Sequence, residues 1–414
     1  MWEAIRSNQR KSFWLIVLMA LTLAALGAAI GSMLFSQDPQ DGVFFGIFIA
    51  MVIWIIMMLT SVAGGERILL ATAGAREISH DDAPQLFNIV EEMKIAASLP
   101  KMPRVFIIDS SVPNAFAVGL KPDRAAVAVT TGLMSRLNRD ELQGVIAHEI
   151  GHIANRDTMF MTLAGVTVGA VILLADLFMR GMWFSSMTRR RSSRDSGQLQ
   201  LIIMVVSIIL AILAPILTQI LYFATSRQRE YLADASSARF TRYPEGLASA
   251  LEKISAGQSA NFNKSRTLAP MYIVNPLAAT GSQTNLFSTH PPTEDRIRIL
   301  RTMTGGSSLT SYNQAFQTLH KNQGLFSSKT LRDDQDQPVR SSSAAAHDPK
   351  KGMRDIRDIL HRVNGYGVLA CSCGMKMKIP QNLEYKKIKC PRCGKMHDTP
   401  AEFLSAAMLT EDQK

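Results

Sequence analysis

Two long apolar runs dominate the first 65 residues of the chain. They cover residues 13–35 and 43–63, and each is long enough to cross a lipid bilayer as a helix. The loop between them carries two aspartates, whereas several basic residues precede the first run. Because basic residues favour the cytoplasmic side, the pattern predicts a transmembrane hairpin over residues 1–65 with both ends in the cytoplasm. The alternative, a cleaved signal peptide, is disfavoured by the length of the first run and by the second run behind it.

From residue 66 onwards, the apolar residues follow the short repeats that are typical of amphipathic helices and strands. Apolar residues recur at helical spacing over 79–99 and predict a helix. Three short, β-branched or alternating stretches, separated by proline and glycine, predict strands at residues 104–109, 114–118 and 125–130. With a further amphipathic helix near residue 141, these elements predict an α+β fold, mainly helical with a small β-sheet, for a domain over residues 66–302.

Apolar runs return inside this domain at residues 159–180 and 199–223. Both are long enough to span a membrane, so they predict a second hairpin. The loop between them contains four arginines, and that charge conflicts with a position outside the cell. Either the hairpin crosses in spite of the charge, or it enters the bilayer incompletely and returns. In both cases the residues before and after the hairpin share one side of the membrane.

Composition supports a membrane protein. Of the 414 residues, 47% are hydrophobic and 22 are methionine, and the mean hydropathy is +0.07. The formal net charge is +11. The pattern disfavours nucleic acid as a partner, because the basic residues do not alternate with aromatic ones as they do in many nucleic-acid-binding domains. They cluster near the apolar runs, which favours attraction to anionic membrane lipids.

Residues 141–157, ELQGVIAHEIGHIANRD, contain His148, Glu149 and His152 in the pattern HExxH. On a helix, residues four apart share one face, so both imidazoles can reach one metal ion with Glu149 beside it. Zinc accepts imidazole nitrogen and lowers the pKa of a bound water, whose proton Glu149 can take during attack on a peptide carbonyl. A chance match is the alternative, but the flanking apolar residues and a capped start at Asn138 favour a metal site.

A third ligand is available in residues 226–240, SRQREYLADASSARF. Glu230 can complete a two-histidine, one-glutamate set, and Asp234 can accept a hydrogen bond from a ligand imidazole and fix its tautomer. Without the HExxH pattern, a solvated acidic pair on an amphipathic helix would be the better interpretation. Further on, His290 stands in a proline-fixed turn ahead of Arg296, where a histidine is more often structural.

The predicted strand near residue 114 is the candidate peptide-binding edge. An exposed edge strand beside a zinc helix can bind an extended peptide by main-chain pairing, which is largely indifferent to sequence. The residues that would do so are Asn114, Ala115, Phe116 and Ala117. An ordinary core strand is an equally good interpretation of the same residues.

The chain changes character after residue 302. Residues 303–360 are rich in serine, glutamine, aspartate and alanine, and we interpret them as a linker with possible helices. Residues 361–414 then contain all four cysteines of the chain, in two pairs: Cys371, Cys373, Cys390 and Cys393.

The four thiolates predict a structural zinc in a zinc-ribbon-like module, since so short a segment could not fold on its own core. One pair is spaced CxC instead of CxxC, which departs from the usual knuckle. A redox role is the alternative. We interpret the module as a docking unit for a partner or substrate protein.

The ordered motifs resemble one family. HEIGHIANRD followed by an apolar hairpin, then SRQREYLADA and THPPTEDRI, is similar to the HtpX-like membrane zinc metalloproteases, gluzincins related to the CAAX prenyl endopeptidases. The resemblance covers residues 10–302 and implies a zincin-like metalloprotease domain. It implies that His148, His152 and Glu230 hold the catalytic zinc and that Glu149 is catalytic.

The resemblance also implies the task and the place of the protein. The family cleaves misfolded or damaged membrane proteins at the cytoplasmic face, so we expect a multi-pass protein of the bacterial inner membrane. The family's edge strand matches residues 113–117, and its HPP histidine, thought to face the reacting carbonyl, matches His290. The cysteine-containing tail is the departure from the family pattern.

Two other functions stay open on the sequence. A catalytically silent scaffold could use the pocket and the ribbon to recruit proteins, although it would not need a base beside its metal. A prenyl-peptide protease would require an enclosed chamber with more spans than the four predicted here.

Overall fold

The computed structural model describes most of the chain outside two internal segments. The described residues are 2–34, 38–159, 227–256, 273, 291–303, 305–320, 323–332, 334–342, 349–381, 383–400 and 403. The predicted second hairpin, residues 159–180 and 199–223, lies outside them except for Met159, and His290 lies outside them too. Both therefore stay predictions.

Two antiparallel helices precede the rest of the domain. Helix α1 spans Trp2–Leu34 and α2 spans Pro39–Thr72. Within the described residues, Gln40–Thr72 is the one helix long and apolar enough to cross a membrane, while the apolar part of α1, Ile16–Ser32, is shorter. The outer face of α2 exposes large apolar side chains, among them Phe44 at 73% and Leu59 at 63%. Such a surface suits a lipid environment better than water.

Glycines hold the two helices together. A side chain on Gly31 would collide with the carbonyl oxygen of Gly42, and one on Gly46 would collide with that of Gly27. The backbones therefore touch directly, as in membrane helix pairs built on small residues. Gly64 interrupts the helical backbone of α2 and leaves a kink before its last two turns.

A four-stranded sheet follows the hairpin. Its strands are β1 (Ala75–Glu77), β2 (Arg104–Ile108), β3 (Ala115–Val118) and β4 (Ala126–Thr130). The spatial order is β1-β2-β4-β3, with β2 and β4 parallel and the other pairs antiparallel. Strand β3 therefore lies at one edge of the sheet. The three predicted strands are confirmed, whereas the short β1 was not predicted.

The sheet is packed on both faces. Alternating residues such as Phe116 and Val118 pack with Leu69 and Leu70 at the end of α2. The opposite face, formed by Val105, Ile107, Ala115, Ala117 and their neighbours, belongs to the main core with the helices that follow. The sheet therefore lies between the hairpin and the helical part of the domain.

Helix α3 spans Pro84–Ala96, five residues shorter at its start than the pattern predicts. The Asp82 carboxylate accepts hydrogen bonds from the backbone N–H and the hydroxyl of Ser79, which makes a turn there. Pro84 then occupies the first turn of the helix, where its missing N–H costs nothing. Helix α4, Thr131–Arg136, leads from β4 to the next helix.

Helix α5, Arg139–Ala154, is the centre of the domain. The Asn138 side chain accepts from the Glu141 N–H, and the Glu141 side chain accepts from the Asn138 N–H, so the predicted capped start is present. The helix over residues 227–241, α6, packs closely on it: Ser237 Oγ donates to the Gly144 carbonyl oxygen at 2.8 Å. Helices α7 (Pro244–Ala256) and α8 (Thr293–Thr302) complete the group.

The residues after 303 join the same core. Helix α9 spans Leu309–Leu319, and its Leu309, Tyr312 and Phe316 are buried with residues of the main core. A short helix, α10 (Ser328–Leu331), and helix α11 (Pro349–Val363) follow. The predicted linker is thus helical in these parts and packed against the domain.

Two β-hairpins follow α11. Strands β5 (Gly367–Ala370) and β6 (Lys376–Ile379) form the first, and β7 (Lys387–Lys389) and β8 (Met396–Asp398) form the second. Mainly helical structure with small sheets, as the sequence predicts, is confirmed.

Candidate metal centre and peptide-binding edge

Helix α5 carries the HExxH residues in the interior of the domain. His148, Glu149 and His152 are all buried, at 0%, 2% and 4% exposure. Their helical spacing places the two imidazoles on one face, and the ring Nε2 atoms lie 3.2 Å apart. The predicted juxtaposition of the two histidines is therefore present.

Helix α6 brings Glu230 to the same point. Its carboxylate oxygens lie 3.6 Å from Nε2 of His148 and 3.5 Å from Nε2 of His152. Ligand atoms of the three residues all lie within 4.8 Å of one another. Zinc holds such ligands at about 2.0–2.2 Å, and a tetrahedral arrangement at that radius separates ligand atoms by about 3.3 Å. The donor set and its spacing therefore fit a zinc ion.

A carboxylate lies behind each histidine. Nδ1 of His148 lies 2.9 Å from an Asp234 oxygen, and Nδ1 of His152 lies 3.4 Å from an Asp157 oxygen. These contacts favour the tautomer whose Nε2 lone pair faces the metal position. Asp234 has the position predicted for it. Asp157 was not predicted, although it belongs to the same HEIGHIANRD segment.

Arg296 of α8 holds Asp234 from the other side. Its Nε and Nη2 donate to the two carboxylate oxygens at 2.8 and 2.6 Å, and the guanidinium is 0% exposed. Such a two-point bond fixes the plane of the carboxylate. The sequence offered Arg296 only as the basic residue after the HPP turn, because the contact joins residues 62 positions apart.

The charges of this centre favour a cation. Burial alone lowers the pKa of both histidines, but the hydrogen bonds that the imidazoles donate to the carboxylates outweigh it, raising the pKa of His148 and bringing that of His152 to about 10. Burial raises the pKa of Asp234, yet the facing Arg296 guanidinium more than compensates and the pKa is lowered. The carboxylates that stabilise positive charge on the two imidazoles would stabilise a divalent cation at the same place.

Strand β3 runs along the edge of the sheet beside α5. The Asn114 carbonyl accepts from the Thr130 N–H at 2.9 Å, so that group points towards β4. Because successive residues of a strand alternate, the carbonyl groups of Ala115 and Ala117 point to the outer edge, whereas Phe116 pairs inwards. Of the predicted substrate-binding residues, Ala115 and Ala117 therefore have main-chain groups in the orientation that pairing requires.

The four cysteines converge at the turns of the two C-terminal hairpins. The Sγ atoms of Cys371 and Cys393 lie 3.4 Å apart, and those of Cys373 and Cys390 lie 3.7 Å apart. Tetrahedral zinc at about 2.3 Å from each sulfur separates the sulfurs by about 3.8 Å. Gly374 and Gly394, both at positive φ, close the two knuckles behind them. The group therefore fits a zinc ion too.

Two histidines and a glutamate on neighbouring helices, with a further glutamate beside them, define the centre of a zinc-dependent peptidase. Residues 80–304 match the model of peptidase family M48. The chain belongs to this family of zinc metalloproteases, and the family predicted from the motifs is confirmed.

Similar proteins cover about three quarters of the chain. It is 44% identical to a protease HtpX homolog of Dictyoglomus thermophilum over 302 residues, 73% of this chain and 94% of that protein. It is 41% identical to one of Streptococcus uberis over 303 residues, 73% of this chain and all of that protein. A crystal structure of S. mikatae Ste24p is similar over 72% of this chain and 67% of that one, with 18% identity and a TM-score of 0.38.

Proposed function

We propose that this protein is an integral membrane zinc endopeptidase that cleaves misfolded or damaged membrane proteins at the cytoplasmic face of the bacterial inner membrane. The observation that carries the proposal is the convergence of His148, His152 and Glu230 beside Glu149, next to an edge strand. A recruiting scaffold would not require a buried carboxylate beside its metal ligands.

Each residue of the centre has a distinct task in this proposal. His148, His152 and Glu230 would hold a zinc ion, which when bound supplies Lewis-acid polarisation of water and of the peptide carbonyl. Glu149 takes a proton from the attacking water and passes it to the leaving amine. His290 is proposed to face the reacting carbonyl, as the family resemblance implies. Asp234 and Asp157 keep the two imidazoles in the tautomer and orientation that binding requires.

The peptide is proposed to lie along β3 as an added strand. Main-chain pairing with the residues between Asn114 and Ala117 gives affinity without demanding a particular sequence. Such recognition suits substrates that have lost their fold, since unfolded segments present free main-chain groups. The exposed apolar face of α2 supports anchorage among membrane lipids, where such substrates arise.

The C-terminal module is proposed to hold a second, structural zinc on Cys371, Cys373, Cys390 and Cys393. A segment of this size gains much of its stability from the metal. Its role would be to dock a substrate or partner protein and so raise the local concentration of substrates near the centre.

The test is cleavage by the zinc-loaded full chain in detergent, with Glu149→Gln as the decisive variant. The amide keeps the size of the side chain and loses the base, so we expect full zinc content at the catalytic site and no cleavage of an unfolded protein such as casein. Near wild-type cleavage by Glu149→Gln would show that Glu149 is not the base. Zinc binding without any cleavage in the wild type would favour the scaffold, and cleavage restricted to prenylated peptides would favour the prenyl-peptide protease.

A further inference from the structure

Ile273 lies against the outer edge of β3, on the side where a peptide would add. Its N–H donates to the Ala115 carbonyl oxygen at 3.3 Å and to Oδ1 of Asn114 at 3.1 Å. The Ala115 carbonyl faces away from the sheet, so the main chain of Ile273 takes the place of a neighbouring strand at this point.

The carbonyl group of Ile273 is held as well. Nη1 of Arg296 donates to its oxygen at 3.1 Å, while the same guanidinium holds Asp234, which in turn contacts His148. Ile273 is therefore separated from a ligand imidazole by two side chains. Its main chain is fixed at both its donor and its acceptor, next to the proposed zinc position.

The side chain of Ile273 fills an apolar space. It is 1% exposed and belongs to the main core together with Ala115 and Ala117. A branched aliphatic group thus fits a closed space directly beside the candidate substrate strand.

These contacts have the form of peptide recognition: acceptors on an edge strand for the N–H, a guanidinium for the carbonyl and a closed pocket for the side chain. From them we infer that Asn114 Oδ1, the Ala115 carbonyl and Arg296 form the main-chain subsite of the substrate. Ile273 of the same chain occupies that subsite. A substrate must displace it, and the subsite prefers a branched aliphatic residue in its place. The inference rests on the proposed peptidase function and adds a preference to it.

An internal occupant lowers the apparent affinity for substrate by the fraction of molecules in which the subsite is free. Shortening the occupant should therefore tighten substrate binding. A residue with a purely structural role would have the opposite effect, because the cavity left by its loss destabilises the core around the site.

The experiment measures peptide binding by the zinc-loaded full chain in detergent, in a Glu149→Gln background that prevents cleavage. The probe is a fluorescein-labelled heptapeptide, Ala-Ala-Ala-Ile-Ala-Ala-Ala, and its counterpart with N-methyl-isoleucine at the centre. Fluorescence anisotropy gives the Kd of each peptide for three proteins in this background: the one with Ile273 unchanged, the Ile273→Ala variant and the matched control Ile254→Ala. Ile254 is equally buried in the same core but lies on α7, with no contact to the strand edge among the described hydrogen bonds.

We expect Ile273→Ala to bind the isoleucine peptide at least about tenfold more tightly, and Ile254→Ala to give no gain. N-methylation removes the donor and should abolish the gain. Replacing the central isoleucine by glycine should weaken binding to Ile273→Ala about tenfold. A gain equal in both variants, or equal binding of the methylated or the glycine peptide, would overturn the inference.

A failed inference and a failed peptidase function give different results. Casein cleavage by the wild type or by Ile273→Ala tests the proposed function, and cleavage by either supports it whatever the role of Ile273. The anisotropy measurement requires binding only, so it decides the role of Ile273 even in a protein that cleaves nothing.

Discussion

Arg340 donates a hydrogen bond of 2.9 Å to Asp140, a buried carboxylate in the first turn of the helix that carries the HExxH residues. The same guanidinium donates to Gln143 of that helix at 2.7 Å and to the Thr241 carbonyl at the end of α6 at 3.0 Å. It thus joins the two helices that bring the proposed zinc ligands together. Arg340 lies beyond residues 80–304, which match the model of peptidase family M48.

Loss of this bridge should destabilise the domain. Arg340→Met keeps the length of the side chain but leaves the Asp140 charge in the interior with fewer partners, so we expect a loss of about 2–3 kcal/mol. Thermal unfolding followed by circular dichroism in detergent measures it. Arg76→Met, the same change at an exposed position of β1, is the control. Equal stability of both variants would mean that the bridge contributes nothing.

Truncation should show that residues 304–363 are needed for folding and that the C-terminal zinc-ribbon-like module is not. A chain ending at residue 363 keeps α9 to α11 and should still hydrolyse a short unstructured peptide, because none of the proposed ligands of the catalytic zinc and no proposed base lies beyond it. A chain ending at residue 303 loses three buried side chains of α9, each worth about 1.5–3 kcal/mol, and should not fold. Peptide hydrolysis and circular dichroism check both. A folded, active protein ending at residue 303 would refute this view of the extension.

The two carboxylates behind the histidines should contribute unequally to zinc binding. Asp234→Asn removes the charge at 2.9 Å from His148 and should weaken zinc binding about 10- to 100-fold. Asp157→Asn acts at 3.4 Å and should weaken it less. Competition with a chelator measures the zinc Kd of each variant, and circular dichroism of the metal-free proteins excludes a general loss of fold. A larger loss in Asp157→Asn would reverse the assignment.

The glycine contact in the hairpin should be sensitive to size. Gly31→Leu places a side chain against the backbone of α2 and should destabilise the protein by about 1–3 kcal/mol. Ala25→Leu adds similar bulk to an exposed position of the same helix and should have little effect. Thermal unfolding in detergent compares the two. Equal effects would show that the helices do not depend on close approach.

The sequence predicts the parts of this fold that have a local period. The strands near residues 104, 114 and 125 and the capped helix that begins after Asn138 are present, because alternation and capping are properties of neighbouring residues. Strand β1 is only three residues long and exists through its pairing with β2, so it leaves no local pattern. The start of α3 was placed too early because the turn at Asp82 resembles a helix start.

The residues of the site also fall into those that local sequence predicts and those that it does not. The HExxH spacing predicts the juxtaposition of His148 and His152 from one helix alone. The roles of Arg296, Ile273 and Arg340 depend on contacts between residues 23 to 200 positions apart, which no window of sequence contains. Such residues emerge only when the elements are assembled.

The contact between α2 and the sheet determines how far a substrate must extend from the membrane to reach the proposed peptide-binding strand. Glu66 accepts from Arg104 at 2.9 Å, and Leu69 and Leu70 pack on the sheet just past the kink at Gly64. With the hairpin placed in the bilayer, as proposed above, strand β3 would lie at a fixed height and angle relative to the lipid. Cleavage would then select a substrate by how far its loosened segment extends from the membrane, so that the anchor itself acts as a ruler.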